Sequence, residues 1–240
     1  ISFFTEKFKA YSTLPAFTSM GRTISFAELD RMSTQFGAFL HSKGLVPGDK
    51  IALMMPNLLQ YPIAFFGAMK AGLVVVNTNP LYTKREMLHQ FEDAEVKAIL
   101  IAENFASNLQ EILSKTQIEF TIVTSIGEML GFPKATITDF VIRRVKKMVP
   151  KYHLPNSISF KTALSEGAKS SIKPFEGQPQ DTILIQYTGG TTGVAKGAML
   201  TNASVMANLI QLKAFIGPYL REGEEIALTP LPLYHALASA

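Results

Sequence analysis

An α/β fold, a largely parallel sheet covered by helices on both faces, is what this sequence predicts, and three observations predict it. Short apolar runs rich in Val and Ile alternate with segments whose apolar residues recur at helical spacing. Two of those segments open on a capping box. One apolar run leads into a glycine- and threonine-rich loop able to hold an anion.

The elements follow in order. Ser25 and Glu28 form the first capping box, opening a helix with Leu29, Met32, Phe36, Phe39 and Leu40 on one side. Gly44 can end it. Residues 51–55 read as a strand that Pro56 stops, and a second helix runs through Tyr61, Phe65, Phe66 and Met69 to Gly72. Residues 73–76 form the next strand. Thr83 and Glu86 repeat the capping box, with Met87, Leu88 and Phe91 turned inward. Strands at 98–101 and 120–124 flank a helix near Leu109 to Leu113. Between 125 and 180 the alternation lapses, and Pro133, Pro150, Pro155, Pro174 and Pro179 punctuate a connection between two α/β units. The expected organisation is therefore a first subdomain with its connection, 1–181, and the start of a second, 182–240. The second holds a strand at 183–187, the loop, a short strand at 198–201, a helix from near Asn202 toward Phe215, and a strand at 225–229.

Composition narrows the function classes. The 240 residues, 47% hydrophobic and 18% charged, favour a sizeable core over disorder. With no cysteine, disulfides, cysteine metal sites and thiol catalysis are excluded within these residues. A net charge of +4 suits anionic ligands but falls short of a nucleic-acid signature, so no nucleic-acid partner is expected. No apolar run approaches the roughly 18 residues of a membrane span, and no secretory signal is visible. The sequence opens at Ile1 and stops at Ala240 inside an apolar segment, and is read as part of a longer protein.

The loop is the most informative stretch. Tyr187, Thr188, Gly189, Gly190, Thr191, Thr192, Gly193, Val194, Ala195, Lys196, Gly197 and Ala198 place glycines, hydroxyls and one lysine directly after a buried strand. Glycines let backbone N–H groups approach an anion, the threonine hydroxyls donate to phosphate oxygens, and Lys196 adds a compact cation. A Walker A loop requires Gly before its lysine and Ser or Thr after it; Ala195 and Gly197 stand there instead. The stretch closely resembles the signature loop of the AMP-forming acyl-CoA synthetase (adenylate-forming) superfamily, usually Tyr-Thr-Ser-Gly-Thr-Thr-Gly-x-Pro-Lys-Gly. It departs at Gly189, where Ser is commoner, and at Ala195, where Pro is commoner. Residues 54–62 and 79–83 resemble the bacterial long-chain fatty-acid–CoA ligases in particular, and carry no catalytic assignment.

That resemblance implies part of the large N-terminal domain of an adenylate-forming enzyme, with two mostly parallel sheets and covering helices, and the small C-terminal domain absent. It implies that a long-chain fatty acid, ATP and coenzyme A are the substrates, with acyl-AMP as intermediate and AMP and pyrophosphate released. The 240 residues alone are expected to be inactive. By the same resemblance, residues 187–198 bind the nucleotide phosphates, Thr188 shares a Mg²⁺, and Tyr187 stabilises the base of the loop or the nucleotide. Tyr234 and His235 match an aromatic–His pair lining the acyl carboxylate pocket. His235 therefore joins Thr188 and Lys196 in the catalytic set, as a polar and shape element. His41, His89 and His153 are read as structural.

Residues 143–151 carry five cations in nine positions, with Ile137, Phe140, Val141 and Val145 near helical spacing. Two readings stay open: a solvated charged face whose apolar side packs on the domain, or a basic amphipathic helix on an anionic membrane. The corresponding location is the cytoplasm, with or without peripheral contact at the inner membrane face; oligomeric state is open. The rival functions are adenylation of an aryl or amino acid, a non-enzymatic anion- or membrane-binding module, and a P-loop NTPase, which the residues flanking Lys196 disfavour.

Overall fold

The computed structural model describes residues 1–188 and 195–234. Helix α1 (Ser2–Ala10) precedes a hairpin, β1 (Pro15–Ser19) and β2 (Arg22–Ser25), that no sequence pattern above announced. Helix α2 (Phe26–Ser42) starts at the expected capping box: the Glu28 N–H donates to Ser25 Oγ at 3.1 Å, and the Ser25 N–H to the Glu28 carboxylate at 2.9 Å. Then come β3 (Lys50–Met54), α3 (Gln60–Lys70), β4 (Val74–Asn77), α4 (Lys84–Asp93), β5 (Val96–Ala102), α5 (Ala106–Ile112) and β6 (Phe120–Thr124). The Thr83–Glu86 capping box opens α4. The connection contributes α6 (Lys134–Phe140), β7 (Ile158–Ser159) and α7 (Phe160–Gly167). The described chain continues through β8 (Thr182–Thr188), β9 (Lys196–Thr201) and α8 (Asn202–Ile216).

Seven strands form one sheet in the order β7-β6-β5-β3-β4-β8-β9, every pair parallel except β8 with β9. Both faces are apolar because successive strand residues point to opposite sides. Ile51 and Leu53 enter one core with α2 and α3, while Ala52 and Met54 enter the other with Met87 and Phe91 of α4. On the α2 face, α7 packs against α2 as closely as backbone allows at Gly167, where an added Cβ would lie 1.8 Å from the Gln35 carbonyl oxygen.

The α/β alternation is present as expected. The strands on either side of residue 181 belong to one sheet among the described residues. The chain places β5 on the far side of β3, which leaves the outer edge of β4 unpaired, and β8 takes that edge with Val75 opposite Leu184 and Val76 opposite Ile185. A buried polar lock fixes the register: the Tyr61 hydroxyl donates to Asn77 Oδ1 at 2.6 Å, and Asn77 Nδ2 donates to Gln186 Oε1 at 3.1 Å.

A second buried lock ties α2 to α3. The Lys70 ammonium, 1% exposed, donates to the Asp30 carboxylate at 2.6 Å, to Ser33 Oγ at 2.8 Å and to Thr34 Oγ1 at 2.9 Å. Burial lowers its pKa and the Asp30 charge opposes that shift.

Two expectations are corrected. Residues 225–229 form no strand; Ile226 is 96% and Leu228 89% exposed, and no described strand runs alongside to hydrogen-bond them. The basic run is not one helix either. After α6 a single wider turn, Val141–Val145, ends the helical path, and Lys147 adopts a φ of 50°. Among the described residues no helix is long and apolar enough to cross a membrane.

Candidate functional site

The two stems of the glycine loop are the end of β8 and the start of β9. Thr188 lies opposite Lys196 and Tyr187 opposite Gly197 in an antiparallel ladder, with both Thr188 and Lys196 exposed. A hydroxyl and an ammonium are thus delivered to one mouth, at the carboxyl end of a strand in a mostly parallel sheet, where ligands of such sheets gather. The loop leads from a strand into a strand. A Walker A loop leads into a helix, so this topology independently removes the P-loop NTPase reading. Gly189, Gly190, Thr191, Thr192, Gly193 and Val194 lie outside the described residues.

Below the mouth, Tyr187 is buried and its hydroxyl donates to the Asp93 carboxylate on α4. Burial first, and then the Asp93 acceptor and its charge, push the Tyr187 pKa up, so the phenol remains a donor at neutral pH. His89, one helical turn before Asp93, sets its ring perpendicular to that of Tyr187 with centroids 6.5 Å apart. Its Nε2 donates to the Ala195 carbonyl at 3.0 Å. On the other side of the ring, a Cβ added at Gly197 would sit 3.0 Å from two of its carbon atoms, so only glycine lets β9 pass there without displacement.

Tyr234 is placed by a different anchor. The Leu233 N–H donates to Asn57 Oδ1 at 2.7 Å, and Asn57 Nδ2 donates to the Leu231 carbonyl at 2.9 Å. Asn57 follows β3 and Pro56, so the segment ending at Tyr234 is pinned beyond the carboxyl end of β3. Tyr234 is partly buried against the core that includes Leu53. His235 lies outside the described residues.

Sequence reasoning missed Asn57, His89 and Asp93. The signal for the last two was a four-residue spacing that puts them on one helix face, but nothing local said what that face meets. Among the described residues there is no cluster of three His, Asp or Glu able to hold a metal ion. The exposed Thr188 hydroxyl offers one oxygen, which fits a Mg²⁺ whose other ligands are phosphate and water.

Comparison with known proteins gives a consistent picture. The sequence model of a family described as AMP-binding enzyme matches residues 4–240. A long-chain-fatty-acid–CoA ligase of Escherichia coli O6:H1 (strain CFT073) is 47% identical over 239 residues, covering 99% of this chain and 43% of that protein. The ligase of the same description from Haemophilus influenzae is 43% identical over 242 residues, again covering 99% of this chain and 43% of the relative. The crystal structure of a long-chain-fatty-acid–CoA ligase from Archaeoglobus fulgidus superposes with a TM-score of 0.75 at 21% identity, over 98% of this chain and 43% of that one. The chain therefore spans less than half the length of these relatives.

Proposed function

The chain belongs to the AMP-binding enzyme family, and from that premise we propose that the full-length protein activates a long-chain fatty acid with ATP and transfers the acyl group to coenzyme A. One observation carries the reading: Thr188 and Lys196 face each other across the stems of a glycine- and threonine-rich loop at the carboxyl end of the sheet. The substrate class follows the relatives that are 47% and 43% identical.

A carboxylate cannot acylate a thiol directly because its leaving group would be oxide. In the first step a carboxylate oxygen bonds to the α-phosphorus of ATP and the bond to pyrophosphate breaks. In the second the coenzyme A sulfur bonds to the acyl carbon, AMP leaves, and the thiol proton passes to solvent. Neither step needs a nucleophile from the protein, in keeping with a chain without cysteine. The protein's task is alignment of two anions and neutralisation of the departing pyrophosphate. Backbone N–H groups and hydroxyls of residues 188–193 and the Lys196 ammonium hold the β- and γ-phosphates. A bound Mg²⁺ supplies further charge neutralisation, and Thr188 is its proposed protein ligand. Tyr234 and His235 line the end of the pocket that receives the carboxylate.

The test is pyrophosphate release by the full-length protein with ATP and Mg²⁺, comparing palmitate, an aryl acid and an amino acid. Palmitate-dependent release supports the proposal. Release with only the aryl or amino acid would keep the chemistry and overturn the substrate, and silence with all three would favour a binding module.

Such a protein works in the cytoplasm beside a membrane that holds its substrate, and the basic segment suits that setting. Arg143 is committed to Glu103 through a bidentate pair at 2.8 Å. Around it Phe140, Val145 and Met148 are 60%, 64% and 52% exposed, and Arg144, Lys146 and Lys147 are also exposed. Apolar side chains in solvent beside cations that make no ion pair among the described residues match an anionic bilayer surface better than a solvated charged face. Reversing Lys146 and Lys147 to Glu is expected to weaken sedimentation with phosphatidylserine vesicles at least about tenfold, since each cation contributes about 1 kcal/mol. Unchanged sedimentation would remove the membrane reading.

A further inference from the structure

Helix α4 reaches both stems of the glycine loop at once. From one face, His89 holds the Ala195 carbonyl at 3.0 Å and Asp93 accepts from the Tyr187 hydroxyl. From the adjoining face, the Gln90 amide donates to the Asn77 carbonyl at 2.9 Å, tying the same helix to the end of β4, the strand beside β8. The Tyr187 ring is held edge-on by His89 and covered by the backbone at Gly197. Ala195 sits one residue beyond the last described ladder pair, Thr188 with Lys196, and its carbonyl accepts from His89 of α4.

We propose that His89 and Asp93 are positioning residues for ATP, fixing the spacing between the two stems so that the loop's donors converge on the phosphates. The proposal rests on the phosphate reading of the loop. Donors that bind an anion together must be aimed before it arrives, because a loop that has to be ordered on binding loses affinity to the ordering. The Tyr187 and Ala195 anchors lie within a residue of the loop's two stem ends, and both lead to helix α4. Neither His89 nor Asp93 needs to touch the nucleotide.

The experiment is steady-state pyrophosphate release by the full-length protein, with KM measured separately for ATP and palmitate, and Tm recorded for each variant. His89→Ala and Tyr187→Phe are each expected to raise KM for ATP about fivefold to tenfold, the worth of one lost hydrogen bond. KM for palmitate should stay within about twofold, because the anchors do not bear on the acyl pocket. His89→Gln keeps a donor of similar reach and should return KM for ATP to within about twofold of wild type. Asp93→Asn keeps an acceptor and should do likewise.

An unchanged KM for ATP in His89→Ala would overturn the proposal. So would a loss confined to kcat with a lowered Tm, which marks a merely structural residue. Lys196→Ala separates this failure from that of the underlying reading. If Lys196→Ala abolishes release while His89→Ala behaves as wild type, only the role of α4 falls. If Lys196→Ala leaves release intact, the phosphate reading fails and this proposal with it.

Discussion

Replacing Lys196 by alanine in the full-length protein is expected to lower palmitate-dependent pyrophosphate release by about 10²–10³-fold, the usual consequence of deleting one preorganised group that meets developing charge. The expectation follows from position. Lys196 is the first residue of β9, exposed, and directly across the ladder from Thr188 at the mouth of the loop. As the α-phosphorus bond breaks, negative charge grows on pyrophosphate, and an ammonium there stabilises the transition state more than the ground state. No described ion pair involves Lys196, and truncating an exposed side chain of this kind changes stability by only about 0.5 kcal/mol. The loss should therefore appear in kcat with Tm unchanged. Thr188→Ala is expected to cost less, about tenfold, since one hydroxyl donor is removed and the cation remains. Lys196→Arg is informative in addition: a planar fork replaces a point charge, so incomplete rescue is the expected result. Wild-type release from Lys196→Ala would remove the loop from the chemistry.

The helix starts and the strand that leads into the loop were legible in the sequence, and the reasons the rest was not are physical. The order of glycines, hydroxyls and lysine is a local pattern, which a short window of sequence records in full. The capping boxes at Ser25 and Thr83 were legible for the same reason: cap and acid lie three residues apart, and both start the helices observed. What lay hidden depends on long-range placement. That β8 joins the sheet beside β4 is decided by β5 crossing to the other side of β3, which no window around Ile183 records. His89 read as one more structural histidine until α4 was seen to face the loop stems. The opposite error occurred at 225–229, where alternating apolar residues suggested a strand although no described edge receives them. The basic run misled differently. Its helical spacing is genuine up to Val145, but the wider turn there ends the helix before Lys146 and Lys147.

Removing the carboxylate of Asp30 is expected to destabilise the fold by about 3 kcal/mol, far more than its partly exposed position suggests. The cost arises at Lys70. That ammonium is 1% exposed, and Asp30→Ala would leave it with hydroxyls and a carbonyl but no counter-charge. Desolvation of an unpaired buried charge, not the lost attraction, is the larger part of the penalty. Lys70→Met separates the two effects, because it removes the pair without burying a charge and keeps a chain that fills the same channel. It should cost about 1 kcal/mol or less by the shift in urea midpoint. The sign of the pH dependence follows from the direction of the Lys70 shift. Burial lowers the folded pKa from 10.5 and Asp30 partly restores it, so losing Asp30 lowers it further. Between that depressed folded value and 10.5 the unfolded chain binds more protons, and stability rises with pH. The deficit of Asp30→Ala relative to wild type should therefore narrow as pH is raised toward 10.5, while that of Lys70→Met should show no such recovery. Equal deficits for Asp30→Ala and Lys70→Met at neutral pH would mean that the ammonium finds other compensation when Asp30 is lost.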